Sequence, residues 1–317
     1  MRAEQYLAPE TLAQLGPFEL RAKRIAEGVM AGMHRSPYQG LAVEFAEHRQ
    51  YVAGDPVRHI DWKVFGRSDK LYLKRFQQET NLDVHLLVDA SGSMRFGTLG
   101  KKQGWGGTRT GRDVQWTKFD HATAVAAALS FLCLSQRDRV SVTLFAGQSV
   151  ASTRSSNSRG HWRSVVNCLS AAAVDGRADL PRAVSELMTR STHRSLVVVI
   201  SDFLMSANQV RDAFAMLRHR GHDVIMLRVL DRQELRFDIE DTAPFVGLEG
   251  EPALEVDARA VRNAYLQVLD EDERALERLV RGFGFDLVRL DTHDSVGPAL
   301  AALLSRRERL RGGGARS

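Results

Sequence analysis

From Leu82 onward, short apolar runs alternate with stretches of helical period. LDVHLLVDA (82–90) reads as a buried strand and KFDHATAVAAALSFLCLSQ (118–136) as a helix. DRVSVTLFA (138–146) is a strand with Val140, Val142 and Leu144 on one face, as a two-residue period requires. HWRSVVNCLSAAA (161–173) and LPRAVSELMTR (180–190) predict helices. Pro181 falls near the start of the second, where its missing N–H breaks no helical bond. RSLVVVISDF (194–203) holds the most continuous apolar run, as expected of a central parallel strand covered on both faces. SANQVRDAFAMLRHRG (206–221) is a helix with Ser206 as N-cap and Gly221 as its stop. HDVIMLRVLD (222–231), a long helix at 259–284, FDLVRLDT (285–292) and a final helix at 296–310 continue the alternation. This order predicts an α/β fold, a doubly wound, mostly parallel sheet flanked by helices.

Residues 1–81 do not alternate in this way. A helix is expected at 20–33, a turn-rich link at 34–40, and at 72–79 (YLKRFQQE) an extended segment feeding the sheet. Between them, residues 44–70 are crowded with Glu44, Glu47, Arg49, Asp55, Arg58, Asp61, Lys63, Arg67 and Asp69, together with Tyr51, Trp62 and Phe65. Pairs of Arg49, Arg58 and Arg67 with Asp55, Asp61 and Glu44 would lock this block onto the main domain, with Trp62 as anchor; the alternative is a docking surface for a partner. The expected division is an N-terminal extension at 1–81 packed on the main domain, a main domain at 82–305, and a flexible basic tail at 306–317. Residues 232–256 are irregular and suggest a hairpin. Residues 95–117 form a glycine-rich basic loop carrying Lys101, Lys102, Arg109 and Arg112. Loops of this length without secondary structure are usually functional or disordered; this one is expected to be mobile, with Trp105 and Trp116 as apolar anchors for a partner, the alternative being a plain disordered insertion.

Composition narrows the class. A hydrophobic fraction of 44% and a charged fraction of 26% are ordinary for a globular chain. The net charge of +5 is spread over the N-terminal third and the tail, so a nucleic-acid role is not expected. The two cysteines, Cys133 and Cys168, give no C-x-x-C and sit in apolar stretches. They read as reduced core thiols, which points to the cytosol. The apolar run at 122–134 falls short of the ~20 residues a spanning helix needs. The N-terminus has early acids and no apolar signal core, so a cytoplasmic protein without membrane insertion is expected.

Candidate chemistry lies at the end of the first strand, in V-D-A-S-G-S-M (88–94). Ligands of open α/β sheets bind at the carboxyl ends of the strands. Asp89, Ser91 and Ser93 present one carboxylate and two hydroxyls there, hard oxygens suited to Mg²⁺, Mn²⁺ or Ca²⁺. Asp202 closes another strand in I-S-D-F, and adjacent parallel strands would bring it beside Asp89. P-loop, nucleophile-elbow and H-E-x-x-H patterns are absent. His34, His48, His59 and His121 are scattered and read as surface or network histidines.

The D-x-S-G-S arrangement resembles the metal-ion-dependent adhesion site of von Willebrand factor A-type domains. The segment from about Gly32 to Phe145, with EFAEHRQYVAGDPVRHIDWKVFGRSDKLYLKRFQQETNL ahead of VDASGSM, resembles the bacterial domain-of-unknown-function 58 family. RVLDRQELRF (228–237) and GFDLVRLDT (284–292) fit the same pattern. The resemblance implies a von Willebrand factor A-like fold, a metal site of Asp89, Ser91, Ser93 and Asp202, and partnership with a MoxR-type AAA+ ATPase and a client protein. The second metal motif of such domains holds a Thr in G-x-T-D-L. Here the stretch reads Gly176-Arg177-Ala178-Asp179-Leu180, and Ala178 supplies no oxygen. Any Mg²⁺, Mn²⁺ or Ca²⁺ is therefore expected to bind weakly. The expected function is a non-enzymatic interaction module acting in complex assembly or stress response. The alternatives are a scaffold whose metal site no longer works, and a Mg²⁺-dependent hydrolase or phosphotransferase using Asp89 and Asp202.

Overall fold

The computed structural model describes residues 48–50, 62–68, 71–74, 82–100, 115–171, 173–191, 193–239 and 243–297. They fall into two compact units, one holding the described residues from 48 to 74 and the other those from Leu82 onward. The first contains β1 (His48–Gln50), α1 (Trp62–Ser68) and β2 (Tyr72–Lys74), with β1 and β2 antiparallel and Gln50 opposite Tyr72. The segment expected to feed the main sheet thus pairs, over its described part, with β1. An antiparallel partner in its own unit satisfies its backbone bonds locally, without the crossover a parallel place would need. The helix expected at 20–33, the link at 34–40, the pairing of Arg49, Arg58 and Arg67, and Trp105 with loop residues 101–114 lie outside the described residues. So do the last helix beyond Gly297 and the tail at 306–317.

The second unit begins with β3 (Asp83–Asp89), a 3-10 turn at Gly92–Arg95, β4 (Leu99–Gly100), β5 (Gln115–Trp116) and α2 (Lys118–Ser135). It continues through β6 (Arg139–Phe145), β7 (Ser149–Ser152), α3 (His161–Ser170), α4 (Leu180–Arg190) and β8 (Leu196–Ser201). Then come α5 (Ala207–His219), β9 (Asp223–Leu230), α6 (Arg232–Arg236), β10 (Ala243–Phe245), β11 (Leu254–Val256), α7 (Ala258–Gly282) and β12 (Asp286–Asp291).

Six strands form one sheet in the order β12-β9-β8-β3-β6-β7. Every neighbouring pair is parallel except β6 and β7, which make an antiparallel edge hairpin. The chain runs outward from β3 to β6 on one side, then returns to β8 on the other. The order of winding therefore reverses between β3 and β8, where Val88 lies opposite Ile200. This is the doubly wound α/β sheet expected from the alternation.

Both faces of the sheet are covered, which explains the near-continuous apolar strands. On one face Leu87, Val197, Val199 and Met226 pack with Val184 of α4, Phe214 of α5 and Val280 of α7. α2 packs across β3, β6, β8 and β9, and α3 packs on α2 and β6. α2 is therefore buried nearly all round from Lys118 to Leu134, and its alanines allow the close approach. Pro181 lies in the first turn of α4, Ser206 caps α5 through Gln209, and Gly221 takes φ 73° just beyond it, as the sequence indicated.

Some expectations need correction. Trp116 is 1% exposed, a core residue and not a docking anchor, because β5 pairs with β4 and turns its indole inward. The glycine-rich loop is tied at both ends, with Leu99 opposite Trp116 and Lys118 N donating to Phe96 O at 2.8 Å. His121 is fully buried in α2, edge-on to Trp116, and burial pushes its pKa down to about 4. Of the irregular stretch expected at 232–256, Arg232–Arg236 is instead the capped helix α6, and 243–256 form the suggested hairpin, with Phe245 opposite Leu254.

The tie between loop and helix makes a test. A Cβ on Gly97 would lie 2.0 Å from Trp116 O, whereas one on Gly100 meets nothing within 4 Å. Gly97→Ala is expected to cost ~1–3 kcal/mol through overpacking. Gly100→Ala should stay within about 0.5 kcal/mol of the parent. Urea unfolding of the two variants checks the difference.

Candidate functional site

The site begins where β3 runs out. Val84 to Val88 are buried core, and Asp89 follows them with no exposure at all. A carboxylate there must find donors, because burying it unpaired is costly. Ser91 N donates to Asp89 Oδ1 at 2.8 Å, and Ser201 Oγ at the end of β8 donates to Oδ2. The first bond folds the chain back over the strand end, as Asp side chains do in turns, and leads into the Gly92–Arg95 turn. Ser91 Oγ and Ser93 Oγ then stand 3.1 Å apart. Asp89, Ser91 and Ser93 thus gather at the reversal point between β3 and β8, where open α/β sheets bind ligands.

Asp202 follows β8 on the neighbouring strand. Its turn is held by Phe203, which takes φ 56° and buries its ring in the core. Asp202 Oδ1 accepts from Leu204 N at 3.1 Å, and Oδ2 accepts from Lys118 Nζ at 2.8 Å. Lys118 also donates to Glu234 Oε1 at 2.7 Å, while Glu234 Oε2 accepts from Asp231 N at 2.7 Å and so caps α6. Lys118 sits in the first turn of α2, where the helix dipole disfavours a cation. Its two carboxylate partners explain its place. Burial alone would lower the Lys118 pKa, but Asp202 and Glu234 outweigh that and hold it above its ordinary value. Burial pushes the Glu234 carboxyl up, against the pull of Lys118.

Asp89 stands outside this ion cluster. Burial first, and the Asp202 charge second, push its pKa up to about 7, against the bonds from Ser201 and Ser91. The site therefore lacks one positive charge near neutral pH, and either a proton or a cation can supply it. Among the described residues no group of three His, Cys, Asp or Glu side chains is placed to hold a metal. A cation would rest on Asp89 and the Ser91 and Ser93 hydroxyls, with water completing the shell. That donor set fits a hard divalent ion. Asp202 Oδ2 is already committed to Lys118.

The loop that should carry the missing hydroxyl lies beside the turn. Gly92 N donates to Gly176 O at 2.8 Å, and Asp175 N donates to Ala90 O at 3.0 Å. Ala178 packs its methyl against the apolar cluster that contains Leu87 and Phe145. Arg177 is exposed and points to Glu251, at 3.7 Å. Lys118, Glu234 and Ser201 were missed from sequence. The one available signal was a lysine placed straight after the Thr117 cap, against the helix dipole.

Two results are expected. Lys118→Met leaves Asp202 and Glu234 buried without their cation, which costs ~3–5 kcal/mol. At about 2–4 °C per kcal/mol for a domain of this size, the melting temperature should drop by roughly 10 °C. Asp89→Asn tests the raised carboxyl. A pKa raised on folding adds stability that is fully present below about pH 4 and is lost as pH rises through about 7. The melting temperature of Asp89→Asn minus that of the parent should therefore increase from pH 5 to pH 8. His85 and His121, both lowered to about 4, act in the opposite sense but are common to both proteins and cancel.

The chain resembles uncharacterized proteins of Mycobacterium tuberculosis and Mycobacterium bovis, at 27% identity over 291 residues, covering 90% of this chain and 86% of each relative. Among solved structures, the conserved hypothetical protein BatB of Bacteroides thetaiotaomicron aligns with a TM-score of 0.46 at 16% identity, over 72% of this chain and 99% of its own. The SpRpn10 VWA domain aligns with a TM-score of 0.38 at 10% identity, over 70% and 94%. In these described residues no helix is long and apolar enough to cross a membrane. A family model described as a protein of unknown function, DUF58, matches residues 47–275, and with so much of its length matched this chain belongs to the DUF58 family.

Proposed function

We propose that the chain is a non-enzymatic, von Willebrand factor A-like interaction module that docks a protein partner at the carboxyl edge between β3 and β8. The family resemblance makes a MoxR-type AAA+ ATPase and its client the partners of choice, in complex assembly or stress response. The observation that carries the reading is Asp89, a fully buried carboxyl with a pKa raised to about 7 beside two hydroxyls at the sheet's reversal point. A bound Mg²⁺ or Mn²⁺ would supply positive charge and an open position for a partner's oxygen. The chain's own residues fix the rest. Ser201 and Ser91 N hold Asp89 in place, and the Ser91 and Ser93 hydroxyls line the opening.

The arrangement favours docking over catalysis. A phosphotransferase would need a cation free to meet phosphate. Lys118 is wholly buried and bound to two carboxylates. Ser91 Oγ and Ser93 Oγ are paired with each other, and among the described residues no histidine bonds to either.

Protons and cations should compete at Asp89. Mn²⁺ titrated by calorimetry at pH 6, 7 and 8 is expected to bind weakly, with affinity rising up to about tenfold per pH unit below pH 7. Asp89→Ala should abolish the heat. Affinity that ignores both pH and Asp89 would sink the site. For the partner, the purified full chain should retain a MoxR-type ATPase in pull-down, and Asp89→Ala should weaken that retention.

A further inference from the structure

The loop joining β10 to β11 lies directly on the Ser91–Arg95 turn. Ser93 N donates to Glu249 Oε1 at 3.3 Å, and Arg95 Nη2 donates to Leu248 O at 2.7 Å. A Cβ on Gly92 would lie 2.2 Å from Leu248 O and 3.2 Å from Glu249 Cγ, so the approach needs glycine at that position. The loop's own shape is set locally. Glu249 N donates to Glu251 Oε2 at 3.0 Å, and Gly250 takes φ 92°. On the far side of the turn Arg177 faces Glu251 at 3.7 Å. The segment Gly247-Leu248-Glu249-Gly250-Glu251 thus brings one acid, Glu249, from more than 150 residues along the chain to the opening lined by Ser91 and Ser93, with Glu251 bonded to its backbone.

The hold is light. Arg177 and Glu251 are 74% and 48% exposed, and exposed ion pairs contribute little. Phe245 stacks on Phe237 and anchors the hairpin's base, but Val246 beyond it is 67% and Leu254 60% exposed, so the tip itself has no apolar anchor in those side chains. Among the described residues the loop tip meets the turn through the bond from Arg95 to Leu248 O, the bond from Ser93 N to Glu249 and one exposed ion pair, and a tip held in this way is displaceable.

We propose that this loop is a built-in acidic ligand: Glu249 occupies the edge of the Ser91–Ser93 turn that an acidic partner segment takes, and docking requires the loop to leave. The proposal rests on the reading of this edge as the docking point. It names the partner chemistry as a carboxylate on a small, flexible loop, with Gly247 and Gly250 as the pattern. It also makes the free protein self-covered, so the partner competes with a tethered copy of its own kind of contact.

The test places a thiol at the covered position of the full chain. Ser93→Cys is made with Cys133→Ala and Cys168→Ala, and its reaction rates with an anionic and a cationic methanethiosulfonate are measured. The anionic reagent stands in for the acidic partner. With Glu249 in place the anionic reagent should react slowly. Glu249→Gln should raise its rate at least about tenfold while leaving the cationic rate unchanged or lower. Arg95→Ala keeps the acid but frees Leu248 O, and should raise both rates. Melting curves confirm that each variant is folded. An anionic rate unchanged by Glu249→Gln and by Arg95→Ala overturns the proposal. The readout uses no metal and no partner, so failure of cation binding at Asp89 and failure of the loop contact are separate results.

Discussion

The ammonium of Lys118, buried between Asp202 and Glu234, is the contact on which the functional edge depends. It joins three elements that the sheet alone does not connect: the start of α2, the turn after β8 and the short helix α6. Taking ions out of water costs several kcal/mol each, and the attraction between them offsets that only when every partner is present and well placed. Here Glu234 meets both demands at once, with one oxygen on Lys118 and the other capping α6 at Asp231. Asp231 in turn accepts from Thr98 Oγ at 2.6 Å and Thr292 Oγ at 2.7 Å. The start of the glycine-rich segment is thereby tied to the same network. Burial raises the Asp231 pKa, but those hydrogen bonds outweigh it and leave the carboxyl below its ordinary value.

Against that satisfied cluster, Asp89 stands apart. Both of its oxygens accept hydrogen bonds, yet no cation faces it among the described residues, and its neighbour Asp202 adds a like charge. The two strand-terminal acids are chemically identical and sit on adjacent strands. Their environments divide them: one is fixed as half of an ion pair, and the other is left to titrate near neutrality. Divergence of this kind within one site marks functional positions more often than structural ones.

The strands and helices of the main unit were legible because burial on a sheet or helix face repeats with the backbone period. Their ends were legible because Pro181, Ser206 and Gly221 act through their immediate neighbours. The lysine was not legible. Its bonds to Asp202 and Glu234 span 84 and 116 residues, and nothing in the local pattern says which of 44 basic residues loses its water. Trp116 was misread for a similar reason. In sequence it closes a basic glycine-rich loop, and only its pairing with Leu99 turns it into the core. His121 reads in sequence as one of several scattered histidines, and only the packing around nearly all of α2 buries it. Charge and aromatic residues near loops carry no period, so their burial follows from tertiary contacts that the pattern does not encode.

Ala178 shows how the site departs from the metal-binding pattern it resembles. The loop that bears it is bonded to the turn: Gly176 O accepts from Gly92 N, Asp175 N donates to Ala90 O, and Asp179 caps α4 through Arg182 N. Ala178 offers no side-chain oxygen there, and its methyl packs on the apolar cluster. In the proposed reading, an edge with fewer oxygens for a cation must draw more of its selectivity from fixed charge at its rim. Arg95 and Arg177 supply that charge, both of them exposed. Rim charges of this kind govern which partners approach and how fast, more than how tightly they stay. The acids they currently meet are the chain's own, Asp175 and Glu251. A partner that is to use this edge must then outcompete contacts already made within the molecule, and the weakness of exposed pairs is what leaves that exchange open.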